Sequence, residues 1–235
     1  MSEPRGINWA QQCAAVIPCF NESARIAEIV SGVRRHLPTV VVVDDGSTDG
    51  TAQHAVREGA EVIQLSGNTG KGVALRAGWQ WARERSFIWA FALDGDGQHA
   101  TEDIPAFLAC VEKTGAPLVV GNRMGHAEKM PWLRRQVNQW MSRRISNLAG
   151  TPLADSQCGF RLMQLEAWSR LPLQACHFEI ESEVLLAFAR AGLAIEFVPV
   201  QVIYRAERSK IHPWRDTIRW FRWWRHARKT NVLQR

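Results

Sequence analysis

Residues 40–51 read VVVVDDGSTDGT, and the order of the parts in this stretch decides the fold. Four valines favour a buried strand, and the polar residues after them favour a turn that supplies capping groups for a helix. A helix is predicted directly afterwards, at 52–58. A strand that leads through a polar turn into a helix is the repeating unit of a parallel sheet with helices on both faces.

The same order of strand and helix recurs on both sides of this stretch. Apolar runs predict strands at 13–17, 61–64 and 87–93, and apolar residues at helical spacing predict helices at 22–37 and 73–85. The predicted fold class is therefore α/β, with a Rossmann-like, mostly parallel central sheet flanked by helices. In such sheets ligands bind beyond the carboxyl ends of the strands.

The second half of the chain has a looser rhythm. Strands are predicted at 118–123, at 195–204 with an interruption at Pro199, and within the stretch DSQCGFRLM. Helices are predicted at 131–148, 179–191 and 214–229. The sequence has no internal repeat, low-complexity linker or evident domain boundary, so a single domain over 1–235 is expected.

The composition limits the classes of protein. The chain has 235 residues, of which 46% are hydrophobic and 22% charged, which excludes a disordered chain. No apolar stretch reaches the roughly 20 residues of a membrane span, and the N-terminus lacks the pattern of a signal peptide. Five cysteines without a C-x-x-C pair predict free thiols in the cytosol. The net charge of +6 indicates an anionic partner.

Polar clusters follow three of the predicted strands, at Pro18–Glu22, Asp44–Gly46 and Asp94–Asp96. In the last cluster Asp94, Asp96 and Gln98 stand at alternate positions, and glycines between them leave room for a ligand. One interpretation is ordinary turn chemistry after a strand. The other is a site for Mg²⁺ or Mn²⁺, which prefer hard oxygen ligands and share them with phosphates. The convergence of three clusters on one edge favours the metal.

Other polar residues of the three clusters and of the GNTGKG stretch also have predicted roles. His99 is expected to hydrogen-bond a metal ligand rather than the metal. Asp45 is interpreted either as a helix cap or as the acceptor of a nucleobase N–H, with Gly46 permitting close approach. The stretch GNTGKG is not a P-loop, because Leu65 and Gly72 stand where a glycine and a Ser or Thr are required. Its Lys71 either neutralises a phosphate or is solvated.

Eight motifs occur in order between residues 14 and 211: VIPCFNE, VVDDGSTDGT, NTGKGVALRAG, LDGDGQH, VVGNR, DSQCGFRLM, FEIESEV and RSKI. With them the sequence resembles the family 2 glycosyltransferases of the GT-A fold, most closely the polyprenyl-phosphate branch typified by dolichyl-phosphate mannose synthase. The resemblance implies an inverting sugar transfer from a nucleotide diphosphate with Mg²⁺ or Mn²⁺. It divides the domain into a nucleotide-sugar-binding half at 1–123, an acceptor half at 124–211 and a C-terminal helix at 212–235.

The resemblance also implies roles for single residues. The nucleotide site would comprise Pro18, Phe20, Glu22, Asp45, Gly46, Lys71 and Asp94. The metal and diphosphate would lie on Asp94, Asp96 and Gln98, and the phosphates of donor or acceptor on Arg123 and Lys210. Asp94, Asp96 and Arg123 are the expected catalytic residues. The sequence departs from the family at Phe20, where tyrosine is common, and at Glu207-Arg208, where Gly-Glu is usual.

The nature of the acceptor decides whether a general base is needed. A phosphate-monoester acceptor is already nucleophilic, and Arg134 or Arg135 is expected to bind it bidentately. A sugar-hydroxyl acceptor would need a carboxylate base, for which Asp155 and Glu181 are the candidates. For these two acids an ion pair with Arg161 or with a neighbouring helix is an equally good interpretation. The donor base stays open between guanine and uracil, that is, between a GDP-sugar and a UDP-sugar.

The C-terminal helix has one aromatic side and one basic side. Its apolar arc comprises Trp214, Ile218, Trp220, Phe221, Trp223, Trp224 and Ala227, and its basic arc comprises Arg215, Arg219, Arg222, His226 and Lys229. Either it packs on the core, or it lies at a membrane surface. We favour the membrane, since a terminal helix has little core left to enter, and no motif supports nucleic-acid binding. The prediction is a cytoplasmic enzyme bound peripherally to the inner face of the membrane. The alternative outside the enzymes is a catalytically silent nucleotide-sugar binding module.

Overall fold

The computed structural model describes residues 6–125, 130–203 and 213–232. Within them, seven strands form one sheet in the order β3-β2-β1-β4-β6-β5-β7. The strands are β1 Cys13–Cys19, β2 Val40–Asp44, β3 Glu61–Gln64, β4 Trp89–Ala92, β5 Leu118–Asn122, β6 Arg161–Gln164 and β7 Ile195–Pro199. The helices are α1 Trp9–Gln12, α2 Ile26–Arg34, α3 Thr51–Arg57, α4 Lys71–Glu84, α5 Ile104–Thr114, α6 Trp132–Ala149, α7 Leu165–Ser169, α8 Ile180–Arg190 and α9 Pro213–Val232. The predicted α/β class is confirmed.

The first four strands are parallel. β1 pairs with β2 on one side and with β4 on the other, and β2 pairs with β3. Every residue of β1, β2 and β4 is buried, because helices cover both faces of the sheet and leave no polar side to these strands. The carboxyl ends of β1, β2 and β4 therefore meet at one rim, which carries the three predicted polar clusters.

β6 runs against its neighbours. It is antiparallel to both β4 and β5, with Arg161 opposite Ala92 on one side and Val120 on the other. Its first residue thus lies at the carboxyl ends of β4 and β5. The loop of residues 150–160, which leads into β6, consequently arrives at the same rim as the turns that leave the parallel strands.

Some elements differ from the sequence-based expectation. α5 was not predicted, although its buried Ile104, Phe107 and Val111 have helical spacing. The strand predicted at 195–204 ends at Pro199, since proline has no N–H to donate to a neighbouring strand. The helix predicted from residue 22 begins only at Ile26, because the preceding residues form a turn in which Asn21 has φ 53°.

The C-terminal helix α9 packs against the body of the protein. Trp220, Trp224 and Ala227 are buried, and Trp220 Nε1 donates to Ser182 Oγ of α8 at 2.9 Å. The expectation that a terminal helix has little core left to enter is therefore wrong. Of the predicted apolar arc, Ile218 and Phe221 stay exposed, and the side chain of Trp214 lies outside the described residues. None of the described helices is both long and apolar enough to cross a membrane.

Candidate active site

A partly buried cluster of three charges occupies the centre of the rim. Lys71, the first residue of α4, places its Nζ 2.5 Å from Asp94 Oδ1 and also contacts Glu181 Oε1 of α8. Burial alone would lower the pKa of Lys71, but the two carboxylates outweigh it and raise that pKa above its usual range. The interpretation of Lys71 as a solvated lysine is therefore wrong: it is the resident counter-charge of Asp94.

The N-terminus of α4 is covered by the chain itself. The backbone N–H of Gly72 donates to the carbonyl of Cys176 at 2.8 Å, and a Cβ on Gly72 would lie 2.3 Å from the carbonyl oxygen of Ala175. A phosphate has no room at this helix end. Lys71 thus contributes only its side chain to the site. The backbone N–H groups at the start of α4 do not form a P-loop-like phosphate site.

Asp94 is held from two directions. Lys71 binds one carboxylate oxygen, and His99 Nε2 lies 3.4 Å from the other, Oδ2. Burial would raise the pKa of Asp94, but Lys71 and then His99 outweigh it and hold that pKa well below its usual range. The His99 ring stacks on Phe160 with centroids 4.8 Å apart. Its Nδ1 is buried and has no hydrogen-bond partner among the described residues.

Asp96 is the acidic partner of Asp94. Its Oδ1 accepts the backbone N–H of Gln98 at 3.0 Å, the turn contact that one interpretation of the motif expects. Burial and then the charge of Asp94 raise the pKa of Asp96. The turn is fixed further because the carbonyl of Gln98 accepts the N–H of Ile203 at 3.0 Å.

The donor set of this turn fits a small divalent cation shared with a phosphate. Across the described ranges no group of three or more His, Cys, Asp or Glu side chains is arranged to hold a metal. Mg²⁺ nevertheless needs only one or two carboxylates when substrate phosphates and water complete its shell. The unfavourable proximity of Asp94 and Asp96 is the feature that a cation between them would relieve.

Asp45 ties three parts of the rim together. Its carboxylate accepts hydrogen bonds from Thr69 N, Thr69 Oγ1 and Gly70 N, all at 2.7–2.8 Å, and its own N–H donates to the carbonyl of Cys19. Gly46 has φ +81°, and a Cβ there would lie 2.7 Å from Gly67. The close approach that Gly46 permits is therefore made by the chain's own loop. Sequence reasoning missed the partners of Asp45, because they lie 24 and 25 residues away.

The turn after β1 is bonded to the turn after β2. Asn21 N donates to Ser47 Oγ at 2.8 Å, and Glu22 N donates to Thr51 Oγ1 at the same distance. A Cβ on Gly95 would lie 2.9 Å from Cys19 Cβ, so the acidic turn packs directly on the end of β1. The structure thus brings the whole predicted nucleotide set to one rim: Pro18, Phe20, Glu22, Asp45, Gly46, Lys71 and Asp94.

Arg123, directly after β5, forms a buried bidentate pair with Asp155. Arg123 Nε lies 2.7 Å from Asp155 Oδ2, and Nη2 lies 2.9 Å from Oδ1. Burial opposes both charges, yet the pair raises the pKa of Arg123 and lowers that of Asp155. The interpretation that pairs Asp155 with Arg161 is wrong, since Arg161 donates to the carbonyls of Cys158 and Glu181 at 2.7 Å. A buried carboxylate with a lowered pKa is a poor general base.

The remaining predicted residues are less closely placed. Arg134 is half-buried and Arg135 exposed in the first turn of α6, and Lys210 lies outside the described residues. Gly159 was not among the predicted site residues. A Cβ at this position would lie 2.8 Å from Asp94 Oδ2 and 2.9 Å from Lys71 Nζ, so its bare backbone lies against the ion pair. Its position within the motif DSQCGFRLM was the available signal.

A mostly parallel sheet with an acidic D-x-D turn at its carboxyl rim is the arrangement of a GT-A glycosyltransferase. The sequence profile of glycosyl transferase family 2 matches residues 14–171, so the chain belongs to this family and is a transferase enzyme.

Relatives and a solved structure agree with this assignment. Polyprenol monophosphomannose synthase of Mycolicibacterium smegmatis is 29% identical over 74% of this chain and 69% of its own length. Undecaprenyl-phosphate mannosyltransferase of Micrococcus luteus is 29% identical over 81% of this chain and 83% of its own. Glucosyl-3-phosphoglycerate synthase from Mycobacterium tuberculosis, solved with Mn²⁺, UDP and phosphoglyceric acid, superposes with a TM-score of 0.71 over 94% of this chain and 78% of that chain. At 20% identity this last likeness shows the fold.

Proposed function

We propose that this protein transfers a sugar, with inversion, from a nucleotide diphosphate to a polyprenyl phosphate at a membrane surface, with Mg²⁺ or Mn²⁺ as cofactor. The observation that carries the proposal is the turn bearing Asp94 and Asp96, whose paired carboxylates lie at the rim beside the positively charged Lys71. The names of the two bacterial relatives, both acting with polyprenyl compounds, support this acceptor class.

The donor half supplies the nucleotide site in this proposal. The nucleoside lies over the turn from Pro18 to Glu22 and near Asp45, which the bonds to Thr69 and Gly70 hold in place. Asp94, Asp96 and Gln98 would hold the metal, which when bound offsets charge on the departing nucleoside diphosphate. The mycobacterial structure of the same fold was solved with Mn²⁺ and UDP, which supports the proposal of a metal and a nucleotide.

The acceptor half supplies positive charge for a phosphate. The pairing with Asp155 uses Nε and Nη2 of Arg123, and within the described residues Nη1 has no assigned partner. Its donors are proposed to bind a phosphate of donor or acceptor while Asp155 fixes the plane of the guanidinium. Arg134, Arg135 and Lys210 complete the proposed phosphate site. Because the acceptor phosphate is itself the nucleophile, the site needs no general base.

The structure weakens the alternative in which a sugar hydroxyl is the acceptor. That reaction needs a free carboxylate base, but Asp155 is ion-paired to Arg123 and Glu181 to Lys71. The second alternative, a catalytically silent binding module, disagrees with the family assignment as a transferase.

The membrane context also belongs to the proposal. A polyprenyl phosphate is held in a bilayer, so the enzyme would work as a peripheral protein on the cytoplasmic face. The exposed side of α9, with Ile218, Phe221 and the basic Arg222 and Arg225, is one proposed contact with that surface.

Two assays test the proposal. A thermal-shift screen of GDP-, UDP- and dTDP-sugars with Mn²⁺ identifies the donor as the one that raises the melting temperature most. Transfer from that donor is then measured to a polyprenyl phosphate and, as matched control, to the polyprenol of the same chain length. Turnover with the phosphate alone is expected, with opposite anomeric configuration in donor and product. Turnover with the alcohol alone, or retained configuration, would contradict the proposal.

A further inference from the structure

The exposed side of α6 carries four apolar residues. Trp132 and Leu133 leave 73% and 67% of their surface exposed, and Val137 and Trp140 are also exposed. These four residues are called the α6 face. The buried side of the same helix consists of Asn138, Met141, Ser142 and Ile145. A helix that contacts only water and its own core keeps large apolar side chains on its buried side, so a further partner is expected on the α6 face.

The α6 face lies on one side of the helix, with the exposed Gln136 among its apolar residues and positive charge at its C-terminal end. With 3.6 residues per turn, its four side chains fall within an arc of about 140°. Arg143 and Arg144 follow on the same side of the helix and are exposed. The Arg144 guanidinium lies over the Trp140 ring at 5.2 Å and over the Trp224 ring of α9 at 5.6 Å, which joins the two helices.

The chemistry of this stripe fits a bilayer that contains anionic lipids. Indole rings favour the headgroup boundary, aliphatic side chains enter the acyl region, and arginines bind the anionic headgroups. A second copy of the chain fits less well, because a two-fold contact through this stripe would bury Arg143 and Arg144 while α6 contains no carboxylate to pair with them. A nucleic acid would gain nothing from Leu133 and Val137.

A short chain of contacts links the α6 face to the candidate active site. Ser142, on the opposite side of α6, accepts the N–H of Ser156 at 2.9 Å. Ser156 follows Asp155, which holds the guanidinium of Arg123. A bilayer on the α6 face would therefore lie close to the loop whose Asp155 holds Arg123, the proposed phosphate-binding arginine.

We propose that the α6 face inserts shallowly into an anionic bilayer and is a principal membrane contact of this protein. The inference rests on the proposed function, since the acceptor would reside in that bilayer. It adds a surface separate from the exposed side of α9.

Vesicle flotation of the full chain tests the inference. Vesicles of phosphatidylcholine are used with and without phosphatidylglycerol, and the variant is W132S/L133S. The matched control is V56S/I88S, two exposed apolar residues, one on α3 and one before β4. The partition coefficient on anionic vesicles is expected to fall at least about tenfold in W132S/L133S and to change less than about twofold in the control.

Several results would overturn the inference. One is equal flotation of the two double variants, and another is no flotation of the wild-type protein on anionic vesicles. A third is that the wild-type protein is a dimer and W132S/L133S a monomer, with no difference in flotation between them. Thermal melting of both variants checks that they fold. Transfer by the wild-type protein to a water-soluble, short-chain polyprenyl phosphate is assayed without vesicles. Failure of that assay beside intact, Trp132-dependent flotation refutes the proposed function and leaves the membrane contact standing.

Discussion

Arg123 binds both carboxylate oxygens of Asp155 in a pair that excludes water almost completely. The two residues stand 32 positions apart in the sequence, one after β5 and the other in the loop before β6. Their contact fixes that loop at the carboxyl rim beside Asp94. It also explains why Asp155 is not available as a general base.

Asp155→Asn tests how much the Arg123–Asp155 pair contributes to the stability of the fold. It leaves the buried guanidinium of Arg123 without a counter-charge, so the free energy of unfolding is expected to fall by about 3–5 kcal/mol in urea titrations. Replacing both residues, in R123M/D155N, should recover much of that loss, because no buried charge is then unpaired. A double variant as unstable as D155N would contradict this account. Both variants are expected to lose transferase activity.

Asp96→Asn is expected to stabilise the metal-free protein. Burial and Asp94 raise the pKa of Asp96, so its ionised form is unfavourable in the folded state at neutral pH, and stability increases as pH falls through that pKa. The amide removes the charge and keeps an oxygen for the Gln98 N–H. In EDTA at pH 7 the free energy of unfolding should rise by up to about 1 kcal/mol, while turnover is lost. A D96N protein less stable than the wild type would show that repulsion between Asp94 and Asp96 does not destabilise the fold.

Lys71→Met is expected to change how stability depends on acid. Lys71 and His99 hold the pKa of Asp94 low, so this contact stabilises the fold above the ordinary aspartate pKa of about 3.9 and is lost as pH falls below it. K71M should lose about 3 kcal/mol at pH 7 and show a weaker decline in stability below pH ~4. Lys113→Met, at an exposed site on α5, is the control with the same change in net charge.

On the alkaline side the sign is opposite. The pKa of Lys71 is raised by Asp94 and Glu181 against the effect of burial, so its contribution is present below the ordinary lysine pKa of about 10.4 and is lost as pH rises further. Wild-type and K71M stabilities should therefore converge at both ends of the pH range. Parallel curves from acid to alkali would show that Lys71 does not interact electrostatically with these carboxylates.

Gly159→Ala tests the close packing over the ion pair. The added methyl would lie 2.8–2.9 Å from the Asp94 carboxylate and Lys71 Nζ, so one of them must move. We expect a loss of about 1–3 kcal/mol in stability and of about 10- to 100-fold in kcat/KM. Gly67→Ala, where a Cβ would meet nothing within 4 Å, is the control. Equal kinetics for the two variants would remove Gly159 from the site.

The sequence predicted the sheet well because each strand of the first half is a short run between polar turns, and β1, β2 and β4 are buried throughout. β3 begins and ends at the residues predicted, and the run of valines at 40–43 lies within β2. α5 was missed although its apolar spacing was readable, whereas the reversed direction of β6 has no local signal, because strand pairing depends on residues far along the chain.

The candidate site divides in the same way. Motif positions placed the acidic turn and the turn after β1 on one rim, since the carboxyl ends of parallel strands meet. The side-chain partners were not predictable: Lys71 contacts Glu181 across 110 residues, and Asp155 pairs with Arg123 instead of Arg161. Likewise the aromatic arc of α9 was interpreted as a membrane contact in preference to a core contact, and the structure buries Trp220 and Trp224 but leaves Phe221 exposed.

The reversed strand β6 also has a consequence for how this scaffold can diversify. Its leading loop, 150–160, and the turns that end β1, β2 and β4 open onto the same side of the molecule, yet the two groups belong to separate stretches of chain. Under the proposed function, changes at residues 150–154 of that loop would reshape the acceptor entrance, while Asp155 and Gly159 stay fixed by Arg123 and by the Asp94–Lys71 pair. On that proposal, a new acceptor would require changes in one short segment only, provided that Asp155 and Gly159 are kept.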